Sequence, residues 1–141
     1  MDPNPSEAQL KALWQQIGER ATNPLLVLPG SVADPLEPGQ TWADLAHAWG
    51  FSLLLTLRRE AALSQATAFA ALMRQAKVRN LGWVLVGSLP ETEDPQALEE
   101  LDAALIPRLE AQVGMPVQGR MALDGQILWD TDSLEQLGYV L

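Results

Sequence analysis

The chain of 141 residues contains no cysteine and only one histidine, His47. Without cysteine, the protein cannot form disulfides, thiolate metal sites or thiol nucleophiles. A metal site or a catalytic triad that needs imidazole would depend on His47 alone, which lies in the middle of a predicted helix. Catalytic groups favour loops and strand ends, so we expect His47 to be a surface or half-buried helix residue.

Basic charge is also scarce. Nine Lys and Arg residues stand against eighteen Asp and Glu residues, which gives a net charge of −9. This charge repels the phosphates of nucleic acid and anionic lipid. No apolar run approaches the roughly 18 residues of a membrane helix, and the N-terminal MDPNPSEAQ lacks the pattern of a signal peptide. We therefore expect a cytoplasmic protein with no nucleic-acid or membrane partner.

The more specific catalytic motifs are missing as well. The sequence contains no GxxxxGK[ST] phosphate loop, GxGxxG fingerprint, GxSxG elbow, HExxH pair or calcium-binding loop. Asp34 and Glu37 lie in a loop rich in Pro and Gly and could hold magnesium through waters, but such acids are more often solvated. The sequence thus predicts neither a metal nor a cofactor.

What the chain does contain is short apolar runs that alternate with amphipathic segments. Strands are predicted at 25–28, 51–57, 81–86 and 115–123, and helices at 6–21, 41–49, 61–77 and 95–105, the last stopped or kinked by Pro107. Helical connections between strands favour parallel pairing. These patterns predict one α/β domain over residues 1–141, with three layers and a mostly parallel sheet of about four strands flanked by helices.

The C-terminal part, residues 124–141, has no clear secondary-structure pattern but is too apolar to extend freely into water. We expect it to pack on the domain or on a partner. Trp129 in this tail is a candidate interface anchor, and further interface candidates are Tyr139 and Leu141. The other tryptophans are expected in the core, and these are Trp14, Trp42, Trp49 and Trp83.

Arg58 and Arg59 directly follow the predicted strand 51–57, at the carboxyl edge where α/β sheets bind ligands. The next helix turns its partial positive end toward the same place, so an anionic ligand could bind there. Alternatively, the two arginines pair with Glu60 and other nearby acids at the surface. The sequence leaves both interpretations open.

Residues 41–90, TWADLAHAWGFSLLLTLRREAALSQATAFAALMRQAKVRNLGWVLVGSLP, include two strings in a recognisable order, TWADLA at 41–46 and GWVL at 82–85. The stretch resembles the C-terminal half of dethiobiotin synthase, the ATP-dependent enzyme of biotin synthesis, and the similarity covers about residues 6–122. The resemblance implies a fold like that of the P-loop NTPases. In that family magnesium and ATP bind a phosphate loop near the N-terminus, and nothing in this chain matches that loop.

The resemblance also marks two departures. The family's magnesium-binding glutamate falls on Pro29, or on Leu28 if the gap is shifted, and its adenine-reading asparagine is Val86 here. None of these side chains can perform those roles. We therefore expect a non-catalytic dethiobiotin synthase-like domain that serves protein interaction or dimerisation without ATP or magnesium. Two alternatives are the C-terminal half of a split enzyme whose partner chain supplies the phosphate loop, and a regulatory domain that binds a small anion near Arg58 and Arg59.

Overall fold

The computed structural model of the protein describes residues 6–20, 31–36, 39–87 and 94–136. Five helices are described within them, α1 (Glu7–Arg20), α2 (Trp42–Ala48), α3 (Ala62–Ala76), α4 (Pro95–Val113) and α5 (Thr131–Gln136). The strands in the same residues are β1 (Leu53–Arg58), β2 (Asn80–Val86), β3 (Val117–Met121) and β4 (Ile127–Trp129). The predicted strand 25–28 lies outside the described residues, as do Pro29, Glu37, Tyr139 and Leu141.

The four strands form one open sheet in the order β1-β2-β3-β4. β1, β2 and β3 are parallel neighbours, whereas β4 runs antiparallel to β3. The prediction of an α/β fold with a mostly parallel sheet flanked by helices is therefore confirmed. Among the helices that the structure describes, none combines the length and the apolar character that crossing a bilayer requires.

The main core lies between the sheet and the two helices α3 and α4. Side chains alternate along β1, so that Leu55 and Leu57 face these helices while Leu54 and Thr56 are exposed on the other face. In α3 the residues nearest the sheet are small, which allows a close approach of helix and strands. The buried residues of this core are Leu57, Ala62, Ala66, Ala70, Trp83, Leu85, Leu109 and Val117.

Two helices begin with the predicted capping boxes. Ser6 directly precedes α1, and Gln9 lies in its first turn. The Ser6 N–H donates to Gln9 Oε1 at 2.8 Å, and the Gln9 N–H donates to Ser6 Oγ at 3.2 Å. At α2 the Thr41 N–H donates to Asp44 Oδ2 at 2.8 Å. These side chains satisfy backbone groups that the first turn of a helix leaves unpaired.

The predicted end of the fourth helix at residue 105 is wrong, because α4 continues through Pro107 to Val113. Pro107 removes one backbone hydrogen bond but is itself exposed. Beyond it, Leu109 is fully buried and Val113 packs against the main core, so this packing outweighs the lost hydrogen bond. The helix ends at Gly114, whose φ of 71° is the left-handed conformation that glycine adopts readily.

The segment after residue 123, for which the sequence predicted no element, forms β4 and α5. The Asp130 N–H donates to Gln118 O at 2.7 Å, which extends the β3–β4 ladder by one step. Leu134 of α5 is buried. The sequence signal was weak because β4 is only three residues long, too short for an alternating pattern to be visible.

The prediction that four tryptophans are core residues is correct for Trp42 and Trp83 but wrong for Trp14. Trp14 is 46% exposed on α1, and its ring lies 4.9 Å, centroid to centroid, from the half-buried ring of Trp49. The ring of Phe51 meets Trp49 edge to face at 6.1 Å. The apolar stripe of α1 thus contributes to a surface aromatic cluster instead of to the core. The prediction failed because helical periodicity shows that one face of a helix is apolar but does not show how deeply that face is buried.

Candidate functional site at the carboxyl edge of the sheet

The adjacent residues Arg58 and Arg59 lie in different environments. β1 ends at Arg58, and a turn of 3₁₀ helix over Arg59–Ala61 leads into α3. The side chain of Arg58 is 70% exposed, and its Nε lies 2.7 Å from Glu60 Oε1. The side chain of Arg59 is only 3% exposed. The two guanidinium groups are therefore not a matched pair facing solvent.

Arg59 forms a buried, two-pronged ion pair with Asp102 of α4. Its Nε lies 2.8 Å from Asp102 Oδ1, and its Nη2 lies 2.9 Å from Oδ2. Planar guanidinium and carboxylate groups match in this geometry, which adds direction to the charge attraction. Neither charge is stable in the interior without the other, because an unpaired buried charge lowers the free energy of unfolding by roughly several kcal/mol.

The same guanidinium also donates to two backbone carbonyls. Nη2 donates to Met121 O at 2.6 Å, and Nη1 donates to Gly87 O. Gly87 directly follows β2 and Met121 is the last residue of β3. With Asp102, these contacts use four of the five N–H groups of an arginine. Arg59 thus joins the carboxyl ends of β1, β2 and β3 to α4.

Arg120 of β3 completes this cluster from the solvent side. Its Nη1 lies 3.4 Å from Asp102 Oδ2, and its Nη2 lies 3.7 Å from Glu99 Oε1. Glu99 is exposed, and Arg120 is half-buried. The carboxylate of Asp102 is therefore held between two guanidinium groups, which we call the Arg59–Asp102–Arg120 cluster.

The position of this cluster bears on ligand binding. Open α/β sheets bind ligands in the crevice outside the carboxyl ends of their strands. Here a protein side chain, Arg59, lies at that edge and is bonded to protein acceptors. The anion-binding role of Arg58 and Arg59 stays a prediction, and in this geometry only Arg58 offers its guanidinium to solvent.

The other predicted site residues lie elsewhere. His47 is exposed on α2, as predicted, and its Nδ1 lies 3.0 Å from Lys77 O at the end of α3. Asp34 Oδ2 accepts a hydrogen bond from the Ser31 N–H at 2.9 Å, within its own loop. In the parts of the chain that the structure describes, no group of three or more His, Asp or Glu side chains is placed to hold a metal ion.

Val86 is the half-buried last residue of β2 and lies opposite Arg58 in the β1–β2 register. It stands at the carboxyl edge, where the resemblance to dethiobiotin synthase expects an adenine-reading amide. A valine side chain has neither a hydrogen-bond donor nor an acceptor. The other departing position, Pro29, lies outside the described residues.

Trp129 and Leu128 are exposed on β4, at 39% and 46% respectively. The indole of Trp129 lies over Gly119 of β3, where a Cβ atom would stand 2.9 Å from Trp129 Cε3. Gly119 therefore provides the space in which this ring rests on the sheet. The interface role of Trp129 stays a prediction.

Sequence reasoning missed the partners of Arg59, above all Asp102. One signal could have found it, since Asp102 lies on the apolar stripe of α4 together with Leu98, Leu105 and Leu109. An aspartate on the core-facing side of a helix requires a buried cation or donor. The arginines at the end of the apolar run of β1, Arg58 and Arg59, are the candidates for that buried cation.

Comparison of the chain with protein-family models, with curated proteins and with solved structures finds no match. The functional interpretation therefore depends on the residues and their geometry.

Proposed function

We propose that this chain is a non-catalytic domain with the framework of dethiobiotin synthase, related to P-loop NTPases, and that it acts in protein interaction or dimerisation without binding ATP or magnesium. The observation that carries the proposal is the buried Arg59 at the carboxyl edge of the sheet, bonded to Asp102, Gly87 and Met121. The place where a related enzyme would need its ligand groups holds a structural ion pair instead.

Binding of a phosphate at this edge would compete directly with Asp102. If Arg59 turned toward a phosphate, the carboxylate of Asp102 would lose its two-pronged partner while remaining buried. Removing one member of a buried ion pair costs about 3–5 kcal/mol, and a ligand would have to supply that free energy from its own contacts. The cluster therefore favours a structural role for Arg59 over a ligand-binding one.

An interaction role is supported by the apolar side chains that remain exposed. Trp14, Leu128 and Trp129 are each more than a third exposed in the described part of the chain. Tryptophan is enriched among the residues that dominate binding energy at protein interfaces. The acidic surface, with a net charge of −9, adds electrostatic selectivity for partners.

Calorimetric titration of the full chain with Mg·ATP and with inorganic phosphate tests the non-catalytic part of the proposal. We expect no saturable binding of either. The matched control is Arg58→Ala, which removes the exposed guanidinium but leaves the Arg59–Asp102–Arg120 cluster intact. Saturable Mg·ATP binding would contradict the proposal, and phosphate binding that Arg58→Ala abolishes would replace it with the anion-binding alternative.

A further inference from the structure

We propose that the outer edge of β4 binds an extended, basic segment of another protein as an added β-strand. This inference rests on the proposed interaction function and names the chemistry of the partner. Its basis is the combination of three features of β4: the direction of its backbone polar groups, the exposure of its side chains and the charge around it.

Hydrogen bonds at the two ends of the β3–β4 ladder fix which backbone groups face outward. The Ala122 N–H donates to Gln126 O at 2.8 Å, and the Asp130 N–H donates to Gln118 O at 2.7 Å. In an antiparallel pair, residues alternate between facing the partner strand and facing away from it. Because residues 126 and 130 face β3, Leu128 does so too, and the N–H and C=O groups of Ile127 and Trp129 point to the other side.

No strand lies on that other side among the described residues, because β4 is the last strand in the sheet order. An unpaired strand edge is a template for pairing with another chain. β4 is short, but it contains no proline, lysine or other charged residue of the kind that blocks pairing at a sheet edge. Four outward backbone groups are thus available for main-chain hydrogen bonds to an added strand.

The side chains of β4 offer apolar contact on both faces of such a strand. Leu128 and Trp129 are consecutive, so they project to opposite faces of the sheet, and both are exposed. A partner strand beside β4 would cover part of each. Cross-strand contacts of aromatic and aliphatic residues stabilise strand pairing.

Charge distinguishes the partner from a second copy of this chain. After Arg120 the sequence contains no Lys, Arg or His but four acids, Asp124, Asp130, Asp132 and Glu135, and all four are exposed. If two copies paired through this edge, the exposed acids that flank β4 in one copy would come close to the same acids of the other copy. Like charges opposite each other destabilise strand pairing. A segment with Lys or Arg beside its apolar residues meets the opposite charge instead.

The experiment uses fluorescence anisotropy with the full chain and a labelled nine-residue peptide in which a central run of Val, apolar on both faces of a strand, is flanked by Lys on each side. Two control peptides replace every Lys by Glu or every Val by Gly. We expect saturable binding of the Lys-Val peptide and at least about tenfold weaker binding of both controls, since the first reverses the charge and the second removes the apolar contacts and the strand propensity. Equal binding of either control would overturn the proposal.

Two sets of variants locate the site. Ile127→Pro removes one outward backbone N–H of β4. Because main-chain hydrogen bonds to the added strand are then lost, we expect the variant to bind the peptide about tenfold more weakly or worse.

Because this variant also alters packing, a second one, Asp124→Asn with Asp132→Asn, changes only exposed charge and is expected to weaken binding about threefold. Its matched control is Glu7→Gln with Glu19→Gln on α1, which is expected to leave affinity within about twofold. Equal effects of the two charge variants would overturn the proposal.

Other occupants of the edge give different results. A concentration-dependent dimer that Ile127→Pro dissociates would identify a second copy as the occupant and overturn the proposal. Peptide binding that appears only after deletion of residues 137–141 would identify the chain's own C-terminus and overturn it equally. Capture of a native partner whose binding survives Ile127→Pro would reject this site while leaving the proposed interaction function intact.

Discussion

The two-pronged contact between Arg59 and Asp102 joins the carboxyl edge of the sheet to α4. Both side chains are almost fully buried, and Arg59 reaches three strand ends from one position. Buried ion pairs add little net stability compared with apolar residues, but their two members cannot be removed separately without a large cost. We therefore expect removal of either residue alone to destabilise the fold more than removal of both together.

Replacing Asp102 by alanine is expected to lower the free energy of unfolding by about 3–5 kcal/mol, because it leaves the guanidinium of Arg59 buried without its carboxylate. Urea denaturation followed by circular dichroism measures the change. The matched control is Glu99→Ala, which removes the exposed acid next to Arg120 and is expected to change stability by less than about 1 kcal/mol. A similar cost for both variants would show that Arg59 does not depend on Asp102.

The double variant Arg59→Met with Asp102→Leu provides a further check. It removes both charges at once, so it is expected to be less destabilising than Asp102→Ala alone by at least about 1 kcal/mol. The same urea titrations measure it. Additive losses from the two sites would mean that the residues act independently, against the geometry described above.

Gly82 in β2 is the glycine that the sheet can least replace. Its φ is 119°, and a Cβ atom there would collide with the carbonyl oxygen of Pro116. Register shifts in both neighbouring ladders fall beside this residue, at Leu53/Leu54 and at Trp83/Val84. A side chain would thus force apart two backbones that the sheet holds together.

We expect Gly82→Ala to destabilise the protein by at least about 1 kcal/mol more than Gly125→Ala, because both residues have positive φ but only Gly82 lacks space for a Cβ. Thermal and urea unfolding of the two variants, compared with wild type, measure the difference. Equal losses would indicate that backbone conformation alone, and not the close approach to Pro116, requires the glycine.

Among the elements, α4 differs most from its sequence-based prediction. Its apolar stripe continues beyond Pro107, and Leu109 is fully buried in the main core. A proline within a helix removes a backbone hydrogen bond and crowds the preceding turn, at a cost of about 3 kcal/mol. The helix persists because packing on both sides of the proline opposes that cost.

Replacing Pro107 by alanine is therefore expected to stabilise the protein, by about 1–3 kcal/mol, since it restores the backbone donor and removes an exposed ring. The control is Gln112→Ala, an exposed position on the same helix, for which we expect a change within about 0.5 kcal/mol. Chemical denaturation measures both. A loss of stability in Pro107→Ala would show that the packing of α4 requires the local geometry that the proline imposes.

The elements marked by capping boxes or by apolar runs were the ones that the sequence predicted well. The capping boxes at Ser6 and Thr41 placed the starts of α1 and α2, and the apolar runs placed β1 and β2 within two residues. Local chemistry sets these boundaries, so they are visible in a single sequence. By contrast, β4 is too short to show alternation, and its pairing depends on β3, which precedes it by several residues.

The candidate site was only half visible from sequence. Arg59 could be placed at the carboxyl edge because it follows an apolar strand, but its burial depends on Asp102, 43 residues away along the chain. Contacts at such separation are set by how helices dock on the sheet, which single-sequence patterns do not determine. For the same reason the neighbouring residues Arg58 and Arg59 could not be told apart, although one is solvated and the other is buried.

At the scale of the whole molecule, the domain holds a buried ion pair at the carboxyl edge of its sheet and exposes apolar residues elsewhere on its surface. The acidic charge of −9 keeps the free protein away from other acidic surfaces and favours basic partners. At the carboxyl edge, the charged groups of the described residues are paired within the protein, Arg58 with Glu60 and Arg59 with Asp102.

The most direct test is native mass spectrometry of the tagged full chain, purified gently from its own source cells, with every co-purifying chain and small molecule identified. We expect a complex with another protein, or a homodimer, that contains no nucleotide. A monomer that retains ATP, or a stoichiometric second chain carrying a phosphate loop, would contradict this expectation and identify the protein as part of a working nucleotide-dependent enzyme.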